Sequence, residues 1–161
     1  MFYKQIKSKV QVFNSIGELE PKDAELIHKA LAARLDAHSP YSDFQVGAAV
    51  RLANNDIIIG NNQENSSYPA GLCAERVALF YASAVYPEEP VKTLAVSAAP
   101  KGQTNLQPVP PCGSCRQVIA EFEHKFKMPI KIYFMGNSGS IMAVNSIECL
   151  LPLAFNKSFL R

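Results

Sequence analysis

Three of the four cysteines in this chain stand at the start of segments with helical periodicity. Cys112 and Cys115 form a Cys-x-x-Cys pair, and Cys73 precedes a second segment of the same kind. Apolar residues recur at helical spacing after these cysteines, at Val77, Ala78, Tyr81 and Ala82 and at Val118, Ile119, Phe122 and Phe126. A helix N-terminus has unpaired N–H groups and a partial positive charge, which stabilise thiolates. If the fold brings these two turns together, three thiols converge on one ion.

Three thiol ligands would leave one position open on a tetrahedral zinc ion. Structural zinc sites normally have four protein ligands, whereas catalytic sites have three and keep a position for water. Glu75 lies two residues after Cys73, where its carboxylate can face the open position and move protons without binding the metal. We therefore predict a catalytic Zn²⁺ held by Cys73, Cys112 and Cys115, with Glu75 as the general acid and base.

A Cys-x-x-Cys pair alone has other interpretations. It is also typical of redox-active dithiols and of half of a structural zinc site. The sequence Cys73-Ala74-Glu75 at a helix start and Pro111 directly before the pair favour the catalytic zinc site over both. The fourth cysteine, Cys149, lies in a largely apolar run at residues 146–151, where a small buried thiol outside the metal site is expected.

Two arginines stand next to the predicted site in the sequence. Three thiolates around Zn²⁺ leave a net negative charge, which a nearby cation would offset. Arg76 directly follows Glu75, and Arg116 directly follows Cys115, so both are candidates for that cation. Solvated surface arginines are the alternative for both positions.

The rest of the chain alternates helices and strands. Pro21 opens an amphipathic helix that Pro40 would stop, and Asn54-Asn55 favours a turn inside a hairpin with strands at residues 45–52 and 57–59. Further short strands are predicted at residues 93–98, 131–135 and 141–144. Because strands alternate with helices, we expect an α/β fold with a sheet covered by helices.

Composition and charge limit the function classes. The 161 residues suit one domain, 1–161, in which residues 1–20 form an extension that either pairs as an edge strand or wraps the surface. The net charge is +2, from 16 Lys and Arg against 14 Asp and Glu without a single-sign run, which disfavours nucleic acid and membrane surfaces as partners. Neither a transmembrane run nor a leader-like apolar region is visible, so we expect a soluble, cytoplasmic protein with a small-molecule substrate.

These motifs resemble those of the cytidine deaminase family. The zinc pattern of that family, Cys-Ala-Glu followed by Pro-Cys-x-x-Cys, is written here at residues 73–75 and 111–115. Residues 41–49 and 60–76 resemble the nucleoside-specific branch, and the similarity extends over roughly residues 22–155. The resemblance implies a three-layer α/β/α fold with a mixed sheet. It also implies hydrolysis of cytidine or deoxycytidine to the uracil nucleoside and ammonia in pyrimidine salvage.

The same resemblance implies roles for substrate-binding residues. Asn62 and Glu64 match the residues that bind the ribose, Phe44 matches an aromatic ring near the base, and the backbone near Ala74 would orient the base. Phe155 matches a C-terminal phenylalanine contributed by a neighbouring subunit, so a homotetramer with shared active sites is implied. By composition alone, the Asn62 segment would be an ordinary polar loop and the two phenylalanines would be core residues.

The chain departs from the family pattern at three places: the N-terminal extension, Leu153, where glycine is common, and Cys149. Two alternative functions stay open at this point. One is another deaminase of the superfamily, acting on a nucleotide, on blasticidin S or on nucleic acid. Asn62, Glu64 and the weak basic charge disfavour nucleic acid as the substrate. The other is a zinc-binding assembly protein without turnover, which the presence of Glu75 disfavours.

Overall fold

A six-stranded mixed sheet forms the centre of the computed structural model, which describes residues 1–160. Its strands, in the spatial order β1-β6-β5-β4-β2-β3, are β1 (Gln11–Phe13), β2 (Phe44–Leu52), β3 (Ile57–Asn61), β4 (Val91–Pro100), β5 (Lys131–Met135) and β6 (Ile141–Val144). Strands β4 and β5 are parallel, and the other neighbouring pairs are antiparallel. The parallel pair is joined by a crossover that contains a helix, as parallel strands require.

Three helices cover the two faces of this sheet. Helix α1 (Pro21–Arg34) lies on one face, and α2 (Ala74–Val85) and α3 (Gly113–Phe126) lie on the other. Successive strand residues point to opposite faces, so Ala48 of β2 packs with α2 and α3 whereas Ala49 packs with α1. None of the described helices combines the length and the apolar composition that crossing a bilayer requires. The expected three-layer α/β/α fold is confirmed.

The close approach of α2 to the sheet positions its first turn. A Cβ atom at Gly60 of β3 would lie 2.6 Å from the backbone nitrogen of Ala78 and 2.7 Å from the carbonyl oxygen of Ala74. Only a residue without a side chain allows this contact between strand and helix. Because α2 and α3 pack on the same face and touch each other, their N-terminal turns lie side by side.

Helix α1 ends at Arg34, before the predicted stop at Pro40. After the helix, the backbone N–H of His38 donates to the carbonyl of Asn62 at 3.0 Å, and the N–H of Glu64 donates to the carbonyl of His38 at 2.8 Å. The segment after Arg34 thus pairs with the loop that follows β3. A long-range backbone pairing, which helical periodicity cannot reveal, ends the helix early.

Of the two alternatives for residues 1–20, the edge strand forms. Gln11–Phe13 pairs antiparallel with β6 at the margin of the sheet, and Ile16–Glu18 forms a 3-10 turn. The predicted hairpin is also present, with Asn55 at a φ of 72° in the turn. Asparagine tolerates this left-handed conformation better than most residues.

Candidate active site

A cavity of about 660 Å³ opens beside the N-terminal turns of α2 and α3. Its lining comes from the start of β2, the loop after β3, the end of β4 and the proline-rich loop before α3. Seven of the predicted site residues contribute to its lining: Phe44, Asn62, Glu64, Cys73, Glu75, Arg76 and Cys112. The fold therefore places two motifs that are distant in sequence around one space.

The three predicted zinc ligands converge at one end of this cavity. Cys73 and Cys112 directly precede α2 and α3, and Cys115 lies in the first turn of α3. The Sγ atom of Cys112 lies 3.8 Å from that of Cys73 and 3.5 Å from that of Cys115, and all three lie within 4.8 Å of one another. Three sulfurs on a tetrahedral zinc ion, each about 2.3 Å from the metal, are about 3.8 Å apart. The cluster fits zinc, and in residues 1–160 it is the one cluster of this kind.

The thiols of this cluster differ in acidity. The neighbouring Cys115 thiol, together with the nearby Arg76 guanidinium, lowers the pKa of the Cys73 thiol well below its usual range. The neighbouring Cys73 sulfur and burial raise the pKa of Cys115. The thiolate is the form that binds metal. The thiol of Cys73 is therefore more readily ionised than that of Cys115.

The two neighbouring arginines point in different directions. Nη2 of Arg76 lies 3.7 Å from Sγ of Cys73 and 3.5 Å from the carbonyl oxygen of Gly71, within reach of the ligand sulfur. The guanidinium of Arg116 donates instead to two backbone carbonyls, those of Pro111 and Leu150. The structure thus brings Arg76, rather than Arg116, into contact with a sulfur of the cluster.

Glu75 is buried beside the sulfur cluster, with 3% of its surface exposed. It is the second residue of α2, and its side chain lines the cavity while staying outside the group of potential metal ligands. Burial raises the pKa of its carboxyl group to about 6. A carboxyl group that titrates near neutral pH is suited to both accept and donate protons. Ala74, directly before it, is fully buried at the same helix start.

Asn62, at the other end of the cavity, is buried and already hydrogen-bonded within the chain. Its Oδ1 accepts from the backbone N–H of Val46 at 2.8 Å, and its Nδ2 donates to the carbonyl of Phe44 at 2.9 Å. The side chain thereby extends the pairing of β2 beyond the last residue of β3. One amide hydrogen and one oxygen lone pair remain for another partner.

Glu64 is anchored by three donors from the segment before β2. Its carboxylate accepts from the backbone N–H of Tyr41 at 2.9 Å, from the N–H of Ser42 at 3.3 Å and from the Ser42 hydroxyl. These bonds, led by the one from the Ser42 hydroxyl, lower the pKa of Glu64. Sequence reasoning assigned Ser42 no role. The available signal was the short turn in which the Ser42 hydroxyl accepts from the N–H of Phe44, two residues on.

The two phenylalanines predicted near the substrate have different positions. Phe44 lines the cavity, whereas Phe155 is not among the lining residues of this chain. Phe155 is 56% exposed and stacks on Phe159, with ring centroids 5.7 Å apart. Cys149 packs against the apolar core that α2 and α3 cover, away from the three sulfurs.

Comparison with known proteins gives a consistent family. Residues 20–129 match the model of the cytidine and deoxycytidylate deaminase zinc-binding region. A cytidine deaminase of Halalkalibacterium halodurans is 45% identical over 132 residues, which cover 81% of this chain and 91% of the relative. A cytidine deaminase of Sporosarcina psychrophila is 41% identical, with 83% and 90% covered. The crystal structure of cytidine deaminase from Burkholderia pseudomallei superposes with a TM-score of 0.71 at 38% identity and covers 81% of this chain and 97% of that one.

Proposed function

This chain belongs to the cytidine deaminase family, and from that premise we propose that it hydrolyses the exocyclic amine of cytidine, deoxycytidine or both. The products are the corresponding uracil nucleoside and ammonia. The observation that carries the proposal is the convergence of three cysteine sulfurs and the buried Glu75 in one cavity. The donor set suits Zn²⁺, and Cys73, Cys112 and Glu75 line the cavity, so a zinc ion held by the three sulfurs would lie beside the space for a substrate.

The residues of this chain supply the proton transfers of the reaction. Zinc, when bound by Cys73, Cys112 and Cys115, acts as a Lewis acid that makes a water nucleophilic near neutral pH. Glu75 takes a proton from the attacking water and delivers it to N3 of the base as the water oxygen bonds to C4. Glu75 then carries the second water proton to the amine nitrogen. The C4–N bond breaks, ammonia leaves and the C4 carbonyl forms, so all atoms of the added water are accounted for.

Arg76 is proposed to offset the charge of the thiolates. Three thiolates and Zn²⁺ carry a net negative charge, and the guanidinium of Arg76 lies 3.7 Å from the sulfur of Cys73. Both residues are partly buried, which strengthens the attraction relative to that in water. The first turn of α2 thereby contributes a ligand, a proton carrier and a cation from Cys73, Glu75 and Arg76.

The part of the cavity lined by Asn62 and Glu64, the proposed sugar end, suits an unphosphorylated substrate. We assign Asn62 and Glu64 to the ribose hydroxyls, Phe44 to the base and the backbone at Ala74 to the orientation of the base. Among the described residues that line the cavity, Arg76 is the one cation, and its guanidinium is directed at the sulfur of Cys73 and the carbonyl of Gly71. A phosphate group would therefore meet no free basic side chain there and would face the carboxylate of Glu64.

The assembly and the cellular role are further parts of the proposal. We propose one domain, a homotetramer in which Phe155 enters a neighbouring subunit's cavity, and a role in pyrimidine salvage. Exposure of Phe155 and of Leu153, at 56% and 83%, supports an intersubunit position. Free thiols at the site suit a reducing compartment such as the cytoplasm. A monomer with full activity in sedimentation and dilution assays would contradict the shared site.

A substrate panel tests the proposed function. The purified enzyme would be incubated separately with cytidine, deoxycytidine, their 5′-monophosphates and free cytosine, with ammonia release and zinc content measured on one preparation. We expect kcat/KM for a nucleoside to exceed the values for the nucleotides and cytosine by at least about 100-fold. Free cytosine leaves the polar groups of the sugar end without partners, and the phosphate of a nucleotide meets the like charge of Glu64. Preference for a monophosphate would make the chain a nucleotide deaminase. Full zinc without any ammonia would make it a non-catalytic zinc protein.

A further inference from the structure

Arg116 joins two segments of backbone that lie far apart in the sequence. Its Nε donates to the carbonyl oxygen of Pro111 at 2.8 Å, and its Nη1 donates to that of Leu150 at 2.9 Å. Both acceptors are neutral carbonyl groups. The two bonds leave from two different nitrogens of one rigid planar group, which fixes the relative positions of both carbonyls.

The first of these carbonyls belongs to the loop that delivers a zinc ligand. Pro111 directly precedes Cys112, the residue before α3. Pro108, Pro110 and Pro111 have no backbone N–H. The loop can therefore be held at these positions only through its carbonyl oxygens or its side chains. Arg116 uses the carbonyl that lies next to the ligand.

The second carbonyl, that of Leu150, belongs to a C-terminal segment that is hydrogen-bonded to α3 at several points. Leu150 follows the 3-10 turn Ile147–Cys149. The other end of that turn is fixed because the backbone N–H of Ile147 donates to the carboxylate of Glu123 at 2.9 Å. Two residues after Cys115, Nε2 of Gln117 donates to the carbonyl of Phe155 at 2.7 Å. Hydrogen bonds to α3 thus fix the position of the C-terminal segment at Ile147, Leu150 and Phe155.

We propose that Arg116 is a positioning residue for zinc binding, which clamps the turn of Cys112 to the C-terminal segment through the carbonyls of Pro111 and Leu150. This inference rests on the zinc site proposed above. The role depends on the two-pronged shape of the guanidinium. Arg76, which contacts the sulfur of Cys73, supplies the charge, so the two arginines flanking the site have separate roles.

Zinc release distinguishes the clamp from a simple charge effect. The zinc-loaded full-length enzyme and its Arg116→Lys and Arg116→Ala variants would be mixed with a chromogenic chelator, and the rate of zinc transfer measured. Lysine keeps the charge but has one donor group and cannot hold both carbonyls in the same geometry. We expect both variants to release zinc about 10 to 100-fold faster, the loss of metal affinity typical when a partner that orients a ligand is removed. Hydrogen exchange should increase at residues 112–116 and 150–155.

Lys125→Ala is the matched control. Lys125 lies on the same helix, and its Nζ donates to the carbonyl of Pro87 at 2.6 Å, far along the chain from the cysteines. We expect zinc release from this variant at the wild-type rate. If Arg116→Lys releases zinc at the wild-type rate, charge alone matters and the proposed clamp is wrong. If Lys125→Ala releases zinc as fast as the Arg116 variants, the effect is a general loosening of α3, which also contradicts the clamp. If Arg116→Ala fails to fold, Arg116→Lys decides. A wild-type chain that binds no zinc would instead contradict the proposed function.

Discussion

The two ends of the cavity are built on different principles. At the zinc end, the sulfurs of Cys73, Cys112 and Cys115 stand at the starts of two helices, with hydrogen bonds to one another and to Arg76. These groups are available to a ligand. Their positions follow from the packing of α2 and α3 on one face of the sheet.

At the sugar end, the polar side chains hold the protein together as well. Asn62 bridges to the backbone at both Phe44 and Val46, and Glu64 is held by the segment of Tyr41 and Ser42. A substitution there changes the fold of the loops together with the binding site. The zinc end thus separates structure from chemistry, whereas the sugar end uses the same atoms for both.

The largest effect is expected for Glu75→Gln, which tests this separation at the zinc end. The change is nearly isosteric and removes no predicted ligand bond, so fold and zinc content should persist. Turnover should fall by about 10⁴-fold, the upper end for general acid and base catalysis, because one carboxylate serves several proton transfers. Both quantities would be measured on the same sample, where zinc content should stay at the wild-type level while kcat falls.

Glu121→Gln is a suitable control, because Glu121 is exposed on the outer side of α3. It should leave both quantities unchanged. Loss of zinc in Glu75→Gln would make Glu75 a structural residue, and near-normal kcat would assign the proton transfers to another group. Either result would remove the contrast between the two ends.

A smaller, mixed effect is expected for Asn62→Ala at the sugar end. The substitution leaves the N–H of Val46 and the carbonyl of Phe44 without their partner, so the free energy of unfolding should fall by about 1 to 3 kcal/mol. The KM for cytidine should rise in the same variant. Urea denaturation and steady-state kinetics measure the two effects, with Asn145→Ala, at an exposed asparagine outside the cavity lining, as a control that alters neither strongly. A higher KM with an unchanged free energy of unfolding would show that Asn62 does not stabilise the fold, which would contradict the contrast between the two ends.

The smallest effect is expected for Ser42→Ala. Glu64 loses one of its three donors but keeps the two backbone N–H groups. We expect KM for cytidine to rise by about 2 to 10-fold, the effect of one hydrogen bond, with kcat little changed. Ser67→Ala, in the same loop region, is the control. A fall in kcat at constant KM would place Ser42 in the chemistry instead of the positioning of Glu64.

The zinc end was predictable from the sequence because its chemistry demands particular residue types at fixed places. Two helix starts with cysteines were enough to expect the cluster that the structure brings together. The sheet, its hairpin and its covering helices also followed from local patterns. The sequence analysis assumed that the two helix starts meet, and the packing of α2 and α3 on one face of the sheet meets that condition.

Features that depend on the approach of distant segments escaped the sequence analysis. The end of α1 at Arg34 reflects the pairing of His38 with the Asn62 segment. The contact of Ser42 with Glu64 and the direction of Arg116 toward Leu150 have the same origin. In each case the partner is set by loop packing, which neither periodicity nor motif spacing encodes.

The proposed chemistry depends on the ligand set of the zinc ion, which X-ray absorption at the zinc edge of the purified native enzyme measures. We predict one zinc per chain with three sulfur neighbours at about 2.3 Å and one oxygen or nitrogen at about 2.0 Å. That result would show Cys73, Cys112 and Cys115 as ligands and one position open to substrate chemistry. Four sulfur neighbours would bring Cys149 into the site, close the open position and contradict the account.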